Sequence, residues 1–318
     1  MKRLFLLLPF LLLAGHVEGQ AYPTKPVRII LTNPPGGTVD VLARTLSDEL
    51  AKSFGQPFVI ENRPGANGTL GGQALMAADA DAHALMLGPP GPIAINKLMY
   101  AMPYDPQKAF APVSLVAIAP LVLVVNPALP VKSLQEFIEY AKANPGKISY
   151  ASQSSGSSGH LAMELLKART GIYAVHIPYR GSGPAIADLV AGQTHAMFDN
   201  TTSALPQVRS GRLRAIAVAE KARLKAEPTI PTVAESGVPG FEATPWFGVV
   251  VKAGSPKSAI DSLSAAIGRI VKQPHVEARF APLGVELVGS TPEQFAAHID
   301  AEIAKWDAVV KRSGAKLD

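Results

Sequence analysis

One plan of strand, flexible loop and helix occurs twice in this sequence, in two separate stretches of the chain. In the first stretch an apolar run at residues 27–32 is broken by the loop 33–38, after which apolar residues return with helical spacing. In the second, a strand at 148–151 leads into a serine- and glycine-rich loop, 152–159, and a helical pattern that ends near Gly171. Strands and helices that alternate at this pace predict a mainly parallel α/β sheet in each half, with ligands bound at the carboxyl ends of the strands.

The later segments of both halves follow the same order. A second loop, 62–68 in the first half and 178–183 in the second, separates the second strand from a short helix. The remaining predicted strands are 58–60, 84–87, 174–177 and 195–198, and further helices are predicted at 70–78, 131–143 and 184–191. The matching order implies two half-molecules built on one plan.

Two apolar stretches join the halves. Residues 111–125, interrupted by Pro120, and residues near 246–251 are predicted to cross between them, and two tail helices near 258–271 and 292–310 are expected to pack back on the first half. The sequence therefore predicts two domains with a ligand cleft between them. Their predicted limits are residues 22–120 with 248–318 for the first domain and residues 121–247 for the second.

The N-terminus has the three-part pattern of a secretory signal peptide. Lys2 and Arg3 precede an apolar stretch of 11 residues, 4–14, and small residues follow. This stretch is too short for a membrane span, which needs about 20 residues. We expect residues 1–19 to be the signal peptide, with cleavage after Gly19 or Ala21, and the mature protein to be exported and soluble.

The composition excludes several classes of protein. Cysteine is absent, which removes disulfides, thiolate metal sites and thiol nucleophiles. The formal net charge is +5, but no long run of one sign appears, so a nucleic-acid partner is not expected. The histidines lack metal-ligand spacing and are expected in the core or on the surface. We expect neither a metal nor a cofactor.

Both halves place a small-residue loop where a strand ends and a helix begins. Gly36, Gly37 and Thr38 lie there in the first half, and residues 154–158 lie there in the second. A helix N-terminus presents unpaired N–H groups and a positive dipole end, and glycine lets a ligand approach the backbone. The paired loops predict two domains that close on one small acidic molecule without a fixed cationic side chain.

Five polar or aromatic residues near these loops or the return crossing have two interpretations each. Asp40 either favours the dipole of the first helix or fixes a ligand group in the cleft. Arg180 either pairs with a carboxylate or faces solvent, and Asp199 either faces the ligand or caps the next helix. Trp246 and Phe247 either line the cleft or pack at the hinge, and packing is favoured.

Catalytic signatures are missing from the sequence. It contains no nucleophile elbow, HExxH motif, P-loop or GxGxxG after a strand. Ser158 and His160 would be the pair for a secreted serine hydrolase, but the sequence localises neither an orienting carboxylate nor an oxyanion hole for them. We therefore expect a protein that is not an enzyme.

Short motifs in a fixed order cover essentially the whole mature chain. They are Tyr22-Pro23, Pro35-Gly36-Gly37 with Asp40 and Ala43-Arg44, Gly55-Gln56-Pro57, Glu61-Asn62-Arg63-Pro64-Gly65-Ala66, Gly156-Ser157 with His160-Leu161-Ala162, His176-Ile177-Pro178-Tyr179-Arg180-Gly181, Ala191-Gly192-Gln193, Pro231-Thr232-Val233-Ala234-Glu235-Ser236-Gly237 and Trp246-Phe247-Gly248. In their order and spacing the chain resembles the substrate-binding receptors of tripartite tricarboxylate transporters, the Bug family of periplasmic binding proteins.

The resemblance implies a type II-like periplasmic binding fold, in which two α/β domains joined by two crossing strands close over a small organic anion. It also implies a periplasmic location, a monomer, and inner-membrane transporter subunits as partners. Carried over by motif position, the implied ligand-binding residues are Gly36, Gly37, Thr38, Asp40, Asn67, Gly88, Ser154, Ser155, Ser158, Tyr179, Gly181, Ser182 and Asp199.

Two departures from the family pattern bear on the ligand. Many relatives resemble Pro-Asp-Gly-Tyr-Thr before the third strand, where this chain has Ala80-Asp81-Ala82-His83-Ala84. The first loop carries Asn33-Pro34-Pro35, whose prolines stiffen the approach to Gly36. The predicted function is a receptor that binds a small carboxylate and delivers it to a permease by hinge closure. A ligand sensor for a membrane signalling protein uses the same fold and is the second hypothesis.

Overall fold

The structure, a computed structural model, describes residues 22–313. The predicted signal peptide therefore lies outside the described residues. Within them, no helix combines the length and the apolar character that a membrane span requires.

The first part of the chain forms four strands with three helices between them. In chain order they are β1 (Val27–Leu31), α1 (Thr38–Phe54), β2 (Phe58–Asn62), α2 (Thr69–Met76), β3 (Ala84–Gly88), α3 (Pro106–Ala109) and β4 (Phe110–Ile118). Helix α1 buries Leu42, Leu46 and Leu50 along one face, as the helical spacing predicted. It ends at Gly55, whose φ of 68° is the left-handed conformation that glycine adopts at little cost.

The second part repeats the pattern after the chain crosses over. Its elements are β5 (Leu121–Val125), α4 (Leu134–Ala143), β6 (Ser149–Ser152), α5 (Ser158–Thr170), β7 (Val175–Pro178), α6 (Ser182–Val190), β8 (Ala196–Asn200), α7 (Thr201–Arg209) and β9 (Arg214–Val218). Helix α7 and strand β9 were not predicted from the sequence. Helix α7 carries Pro206 in its interior, which disfavours a helix, and its first three residues are polar.

The chain then returns to the first sheet and ends in helices. The elements are β10 (Trp246–Lys252), α8 (Lys257–Ile270), α9 (Pro274–Phe280), β11 (Glu286–Leu287) and α10 (Pro292–Ser313). Helix α8 packs on α1 and β4, as expected for the first half. The expectation was incomplete for α10, which packs on β4 but also contacts α5 of the second half. Its residue Trp306 belongs to an apolar core that includes side chains from both sheets.

The strand order confirms the duplicated plan. The first sheet runs β2-β1-β3-β10-β4-β11, and the second runs β7-β6-β8-β5-β9. Apart from the short β11, each position in one sheet has its counterpart in the other. In both sheets the strand that arrives from the other half, β10 or β5, is antiparallel to its neighbours, while the other four strands of the shared order point the same way. The structure is thus the expected pair of mainly parallel α/β units.

The chain passes between the sheets at two neighbouring places. Strand β4 leads into β5 through Ala119 and Pro120, and the return runs through Ala243, Thr244 and Pro245 into β10. The amide of Ala119 donates to the carbonyl of Pro245 at 3.1 Å, so the two crossings are hydrogen-bonded to each other. We refer to the parts built on the first and second sheets as the first and second domains. The exact domain limits given above stay a prediction, which the separation of the sheets supports.

Candidate ligand-binding site

A cavity of about 70 Å³ lies between the two domains, at the carboxyl ends of the parallel strands. Seven of the predicted binding residues line it, and they come from both domains. They are Gly37, Thr38, Asn67, Ser154, Ser158, Gly181 and Ser182.

The first-domain wall is built from the loop between β1 and α1. Asn33, Pro34 and Pro35 lead to Gly37, which precedes the first turn of α1 and leaves it without a side-chain cap. The loop is fixed from behind because the side-chain amide of Asn62 donates to the carbonyl of Asn33 at 3.0 Å. The first turn of α1 therefore presents backbone N–H groups to the cavity from a rigid loop.

Asn67 completes this wall in a strained conformation. Its φ of 47° lies in the left-handed region, which costs a non-glycine residue free energy. Asn96, which is fully buried, holds it there: Asn67 donates to Asn96 Oδ1 at 2.8 Å, and the Asn96 amide donates back to the Asn67 carbonyl at 3.0 Å. This pairing leaves the Asn67 side-chain oxygen free to accept from the second domain.

The second-domain wall gathers three helix N-termini. Helix α5 begins after Ser157, whose hydroxyl accepts from the amide of His160 at 3.3 Å. Helix α6 begins after Gly181 and α7 after Asn200, and neither of these residues makes a side-chain cap. All three junctions line the cavity, so the positive ends of three helix dipoles point toward the same space.

The described residues that line the cavity carry no formal charge. Apolar side chains, among them Ile95, Leu161 and Phe247, share the wall with the amides and hydroxyls. A negative ligand placed here would face helix N-termini and neutral donors, whereas a positive ligand would meet no carboxylate. The arrangement favours small anions, as the paired loops predicted.

Direct contacts join the two walls. Ser154 donates to the side-chain oxygen of Asn67 at 2.8 Å, and the hydroxyls of Thr38 and Thr202 hydrogen-bond across the cleft. A Cβ placed on Gly181 would lie 2.7 Å from Cγ of Pro34, so this glycine packs against the opposite domain. The two domains are therefore closed on each other around the cavity.

The structure places Asp199 behind the wall. This carboxylate is fully buried, and Gln153 and Ser182 donate to Oδ1 at 2.7 and 2.8 Å while Ser203 donates to Oδ2 at 2.5 Å. Burial raises the pKa of Asp199, and the donated hydrogen bonds oppose that rise. Asp199 thus ties the loop at Gln153 to the first turns of α6 and α7, a role that neither interpretation from the sequence included.

Five other predicted residues also lie outside the wall. Asp40 accepts from the amide of Gly36 at 3.1 Å and forms an ion pair with Arg44, so it supports the first loop from the side of α1. Gly88 is buried in β3, where a Cβ would lie 3.1 Å from the Thr32 hydroxyl. Ser155 lies in the loop beside Ser154 and does not face the cavity.

Tyr179 also faces away from the cavity. Its hydroxyl donates to Asp188 at 2.8 Å, and burial together with this hydrogen bond raises its pKa to about 12. The neighbouring Arg180 is exposed, which favours the solvent-facing interpretation. Any contact of these residues with a ligand stays a prediction, and the geometry makes such a role indirect.

Several wall residues were not predicted from the sequence. Gln153 donates to Asp199 and accepts from Ser157 at 3.0 Å, which connects two of the wall loops. Trp246 and Phe247 have different roles. Phe247 lines the cavity, while Trp246 is buried in the core and donates to Glu302 at 3.2 Å. Strand alternation is the signal that could have separated them, because neighbouring residues in β10 point to opposite faces.

The pair considered for hydrolysis has a different arrangement. The Nδ1 atom of His160 accepts from the amide of Gly156 at 3.0 Å, and its ring stacks on His176. This nitrogen is therefore engaged with the loop backbone instead of a serine hydroxyl. Among residues 22–313, no group of three His, Asp or Glu side chains is arranged to hold a metal ion.

The chain is similar to known proteins over nearly its whole length. A sequence model of the family described as tripartite tricarboxylate transporter family receptor matches residues 42–315. Protein BugT of Bordetella pertussis is 40% identical over 307 residues, which cover 96% of this chain and 94% of BugT.

The chain is also similar to solved structures over nearly its whole length. The structure of R. palustris Rpa4515 with adipate has a TM-score of 0.90 at 36% identity and covers 92% of this chain and 98% of that one. MatC (Rpa3494) from Rhodopseudomonas palustris with bound malate has a TM-score of 0.86 at 32% identity and covers 91% of this chain and 100% of that one.

Proposed function

The chain belongs to the tripartite tricarboxylate transporter receptor family of periplasmic solute-binding proteins, and we propose that it captures one small organic anion between its two domains and delivers it to the membrane subunits of a tripartite transporter. The observation that carries this proposal is the convergence of four helix N-termini, those of α1, α5, α6 and α7, on a cavity whose described lining residues are uncharged. Family members are receptors, which supports a role in binding without catalysis.

The chemistry of the wall supports a carboxylate as the ligand. Backbone N–H groups at α1 and at the second-domain helices would donate to carboxylate oxygens from either side, and Phe247, Ile95 and Leu161 would contact a hydrocarbon portion. Adipate and malate, the ligands of two similar structures, are the first probes for this chain. We propose that the seven predicted residues in the wall contact the ligand and that one chain, as a monomer, forms the whole site.

The first experiment identifies a ligand that the protein already carries. The exported protein is purified without added carboxylates and weighed by native mass spectrometry, and any released molecule is identified by its mass after denaturation. We expect one small acid per chain. A protein that is empty, and that also shows no thermal shift across a panel of carboxylates, would contradict solute capture.

A matched pair of probes tests whether the site prefers a negatively or a positively charged ligand. Binding of adipate is compared with binding of 1,6-diaminohexane, which has a six-carbon chain and the opposite charge, by isothermal titration calorimetry. Helix N-termini favour the anion, so we expect heat from adipate or malate and none from the diamine. Binding of the diamine alone would overturn the proposal.

Delivery is tested in the producing cell. Deletion of the gene is expected to abolish uptake of the radiolabelled acid identified above, and the chain carrying Gly181→Ala should restore uptake poorly because its domains cannot close fully. Unchanged uptake together with loss of induction would instead identify a sensor.

A further inference from the structure

Two imidazole rings lie directly behind the cavity loop of the second domain. His160, on α5, and His176, on β7, stack with ring centroids 3.9 Å apart and planes 12° apart. The ring of Tyr150 is nearly parallel to both imidazoles, with its centroid 4.9 Å from that of His176 and 6.3 Å from that of His160. Tyr150 is fully buried, His160 is 9% exposed and His176 is half-buried, and the three rings form a cluster between α5 and the second sheet.

Each imidazole is hydrogen-bonded to the loop 152–156 at one point. Nδ1 of His160 accepts from the amide of Gly156 at 3.0 Å, so this nitrogen carries no proton. The hydroxyl of Ser152 donates to the carbonyl of Ser154 at 2.9 Å, and Nε2 of His176 lies 2.6 Å from the same hydroxyl oxygen. We assign Nε2 of His176 as the donor in this second contact, because the single hydroxyl hydrogen is directed to the Ser154 carbonyl. Both rings therefore carry their proton on Nε2.

The charged side chains next to this cluster of rings form an ion pair with each other. Glu164 on α5 accepts from the Tyr150 hydroxyl at 2.5 Å and from Lys167 at 2.6 Å, and the Lys167 ammonium lies 5.7 Å from the centroid of the Tyr150 ring. Burial lowers the pKa of His160, although Glu164 opposes this. Burial and the neighbouring His160 lower the pKa of His176 to about 4. Both rings are thus neutral at the pH of ordinary growth.

We propose that His160 and His176 are positioning residues for the anion-binding loop, and that they act as a stacked pair of neutral imidazoles whose protonation disrupts the loop. A proton on Nδ1 of His160 would face the Gly156 N–H group, which is itself a donor, and two charged rings at 3.9 Å would repel each other. The loop from Ser154 to Ser158, which forms part of the second-domain wall, would lose its support. The inference rests on the proposed function only in assuming that this loop holds the ligand.

Nuclear magnetic resonance of the full mature chain tests the imidazoles without any ligand. With ¹⁵N-labelled protein at pH 7.5, we expect the Nε2–H tautomer for both rings and a coupling across the hydrogen bond between the Gly156 nitrogen and Nδ1 of His160. Both rings are expected to titrate below 6.5. An Nδ1–H tautomer for His160, or titration of both rings at 6.5 or above, would overturn the proposal.

Two conservative variants test the effect on binding. In His160→Asn, the side-chain oxygen takes the place of Nδ1 as acceptor, and in His176→Gln the side-chain amide takes the place of Nε2–H as donor, yet neither titrates. At pH 7.5 we expect the double variant to bind adipate within about 3-fold of the parent chain, and His160→Leu, which offers no acceptor, to bind at least ~10-fold more weakly.

The ratio of affinities between parent and double variant is then followed from pH 7.5 to 4.5. Protonation of adipate affects both proteins equally, so the ratio reports only the protein. We expect the double variant to gain relative to the parent as the pH falls, and a constant ratio would contradict the proposal. Should neither adipate nor malate bind either protein, the proposed ligands fail while the NMR result still decides the state of the imidazoles.

Discussion

The two walls of the cavity have the same strand order behind them, but their loops are held in different ways. In the first domain the loop is stiffened by Pro34 and Pro35, and its backbone is held by the side chains of Asn62 and Asp40. In the second domain the loops are tied by side chains to one buried carboxylate, Asp199, and to the stacked His160 and His176.

The two walls show which features follow from the topology and which follow from individual side chains. Strand order alone brings helix N-termini to one place in both domains, so the shared feature of the two walls is the donation of backbone N–H groups. The rigidity of each wall has a local origin. A wall held by prolines should be affected mainly by steric changes, whereas a wall held by buried polar groups should also respond to single polar substitutions and to pH.

The largest expected effect is the loss of stability on removal of the buried carboxylate of the second domain. Asp199→Ala leaves Gln153, Ser182 and Ser203 without their acceptor in a fully buried site. We expect the free energy of unfolding, measured in urea, to fall by about 3 kcal/mol or more.

The matched variant in the first domain is Asp40→Ala. Asp40 pairs with Arg44, whose side chain is 55% exposed, so water can replace much of the interaction. We expect a clearly smaller loss of stability than for Asp199→Ala. Equal losses in the two variants would remove the distinction between the walls.

The next largest expected effect is a loss of ligand affinity when the contact between Gly181 and Pro34 is disturbed. Gly181 has a φ of 107°, and a Cβ there would press on Pro34 only when the domains are closed. Overpacking of this kind costs about 1–3 kcal/mol, so Gly181→Ala should weaken adipate binding by about 5- to 150-fold.

Gly171→Ala is the control for backbone strain. Gly171 has a φ of 71° at the end of α5, and a Cβ there would meet nothing within 4 Å. It should lower the melting temperature as Gly181→Ala does, because both substitutions place alanine at a positive φ. Calorimetry should show its adipate affinity within 2-fold of the parent, and a comparable loss in both variants would mean that strain, not closure, is responsible.

Much of the fold could be predicted because its signals are local. The spacing of Leu42, Leu46 and Leu50 predicts α1, and loops rich in glycine and serine after buried strands predict where the walls form. The role of Asp199 could not be read in this way. It depends on Gln153, Ser182 and Ser203, which lie on separate segments that only the folded sheet brings together.

Other features could not be predicted because they also depend on contacts between residues distant in sequence. Pro34 reaches the cavity because the second domain closes on it at Gly181, a contact between residues distant in sequence. Helix α10 has an amphipathic pattern that predicts burial of one face but not the partner. Its contact with α5 follows from the position of the crossings, where Glu302 accepts from Trp246 at 3.2 Å and from Trp306 at 3.0 Å.

A smaller expected effect is a dependence of stability on pH that comes from His176, behind the second-domain wall. Because the pKa of His176 falls from 6.5 to about 4 in the folded protein, the unfolded chain takes up a proton in this interval before the folded one does. The ring's contribution to stability is therefore complete above pH 6.5 and is lost as the pH falls toward 4. We expect a loss of about 1–2 kcal/mol over this interval from His176, after allowing for its partial exposure to solvent.

Urea unfolding at several pH values checks this expectation. The slope of stability against pH between 6.5 and 4 should become smaller in His176→Gln, because glutamine does not titrate. The acidic groups contribute equally to both proteins, so the difference between the two curves isolates the histidine. Parallel curves would place the pH response elsewhere in the molecule.

The smallest expected effect concerns the hydroxyl contact between Thr38 and Thr202. Thr38 belongs to the first-domain wall, while Thr202, at the start of α7, lies outside the cavity lining. Thr202→Val keeps the shape of the side chain and removes this hydrogen bond, which exists only while the domains are closed. A neutral hydrogen bond contributes about 0.5–1.5 kcal/mol, so adipate affinity should fall by roughly 2- to 12-fold.

Thr202→Ser restores the hydroxyl and is expected to restore the affinity, which distinguishes the hydrogen bond from packing of the methyl group. The loss in Thr202→Val should lie mainly in faster ligand release, measured by stopped flow, because the contact stabilises the closed form after the ligand has entered. If valine and serine at this position gave the same affinity, the hydroxyl pair would have no part in closure. The direct links between the domains at the cavity would then be the Ser154–Asn67 hydrogen bond and the contact of Pro34 with Gly181.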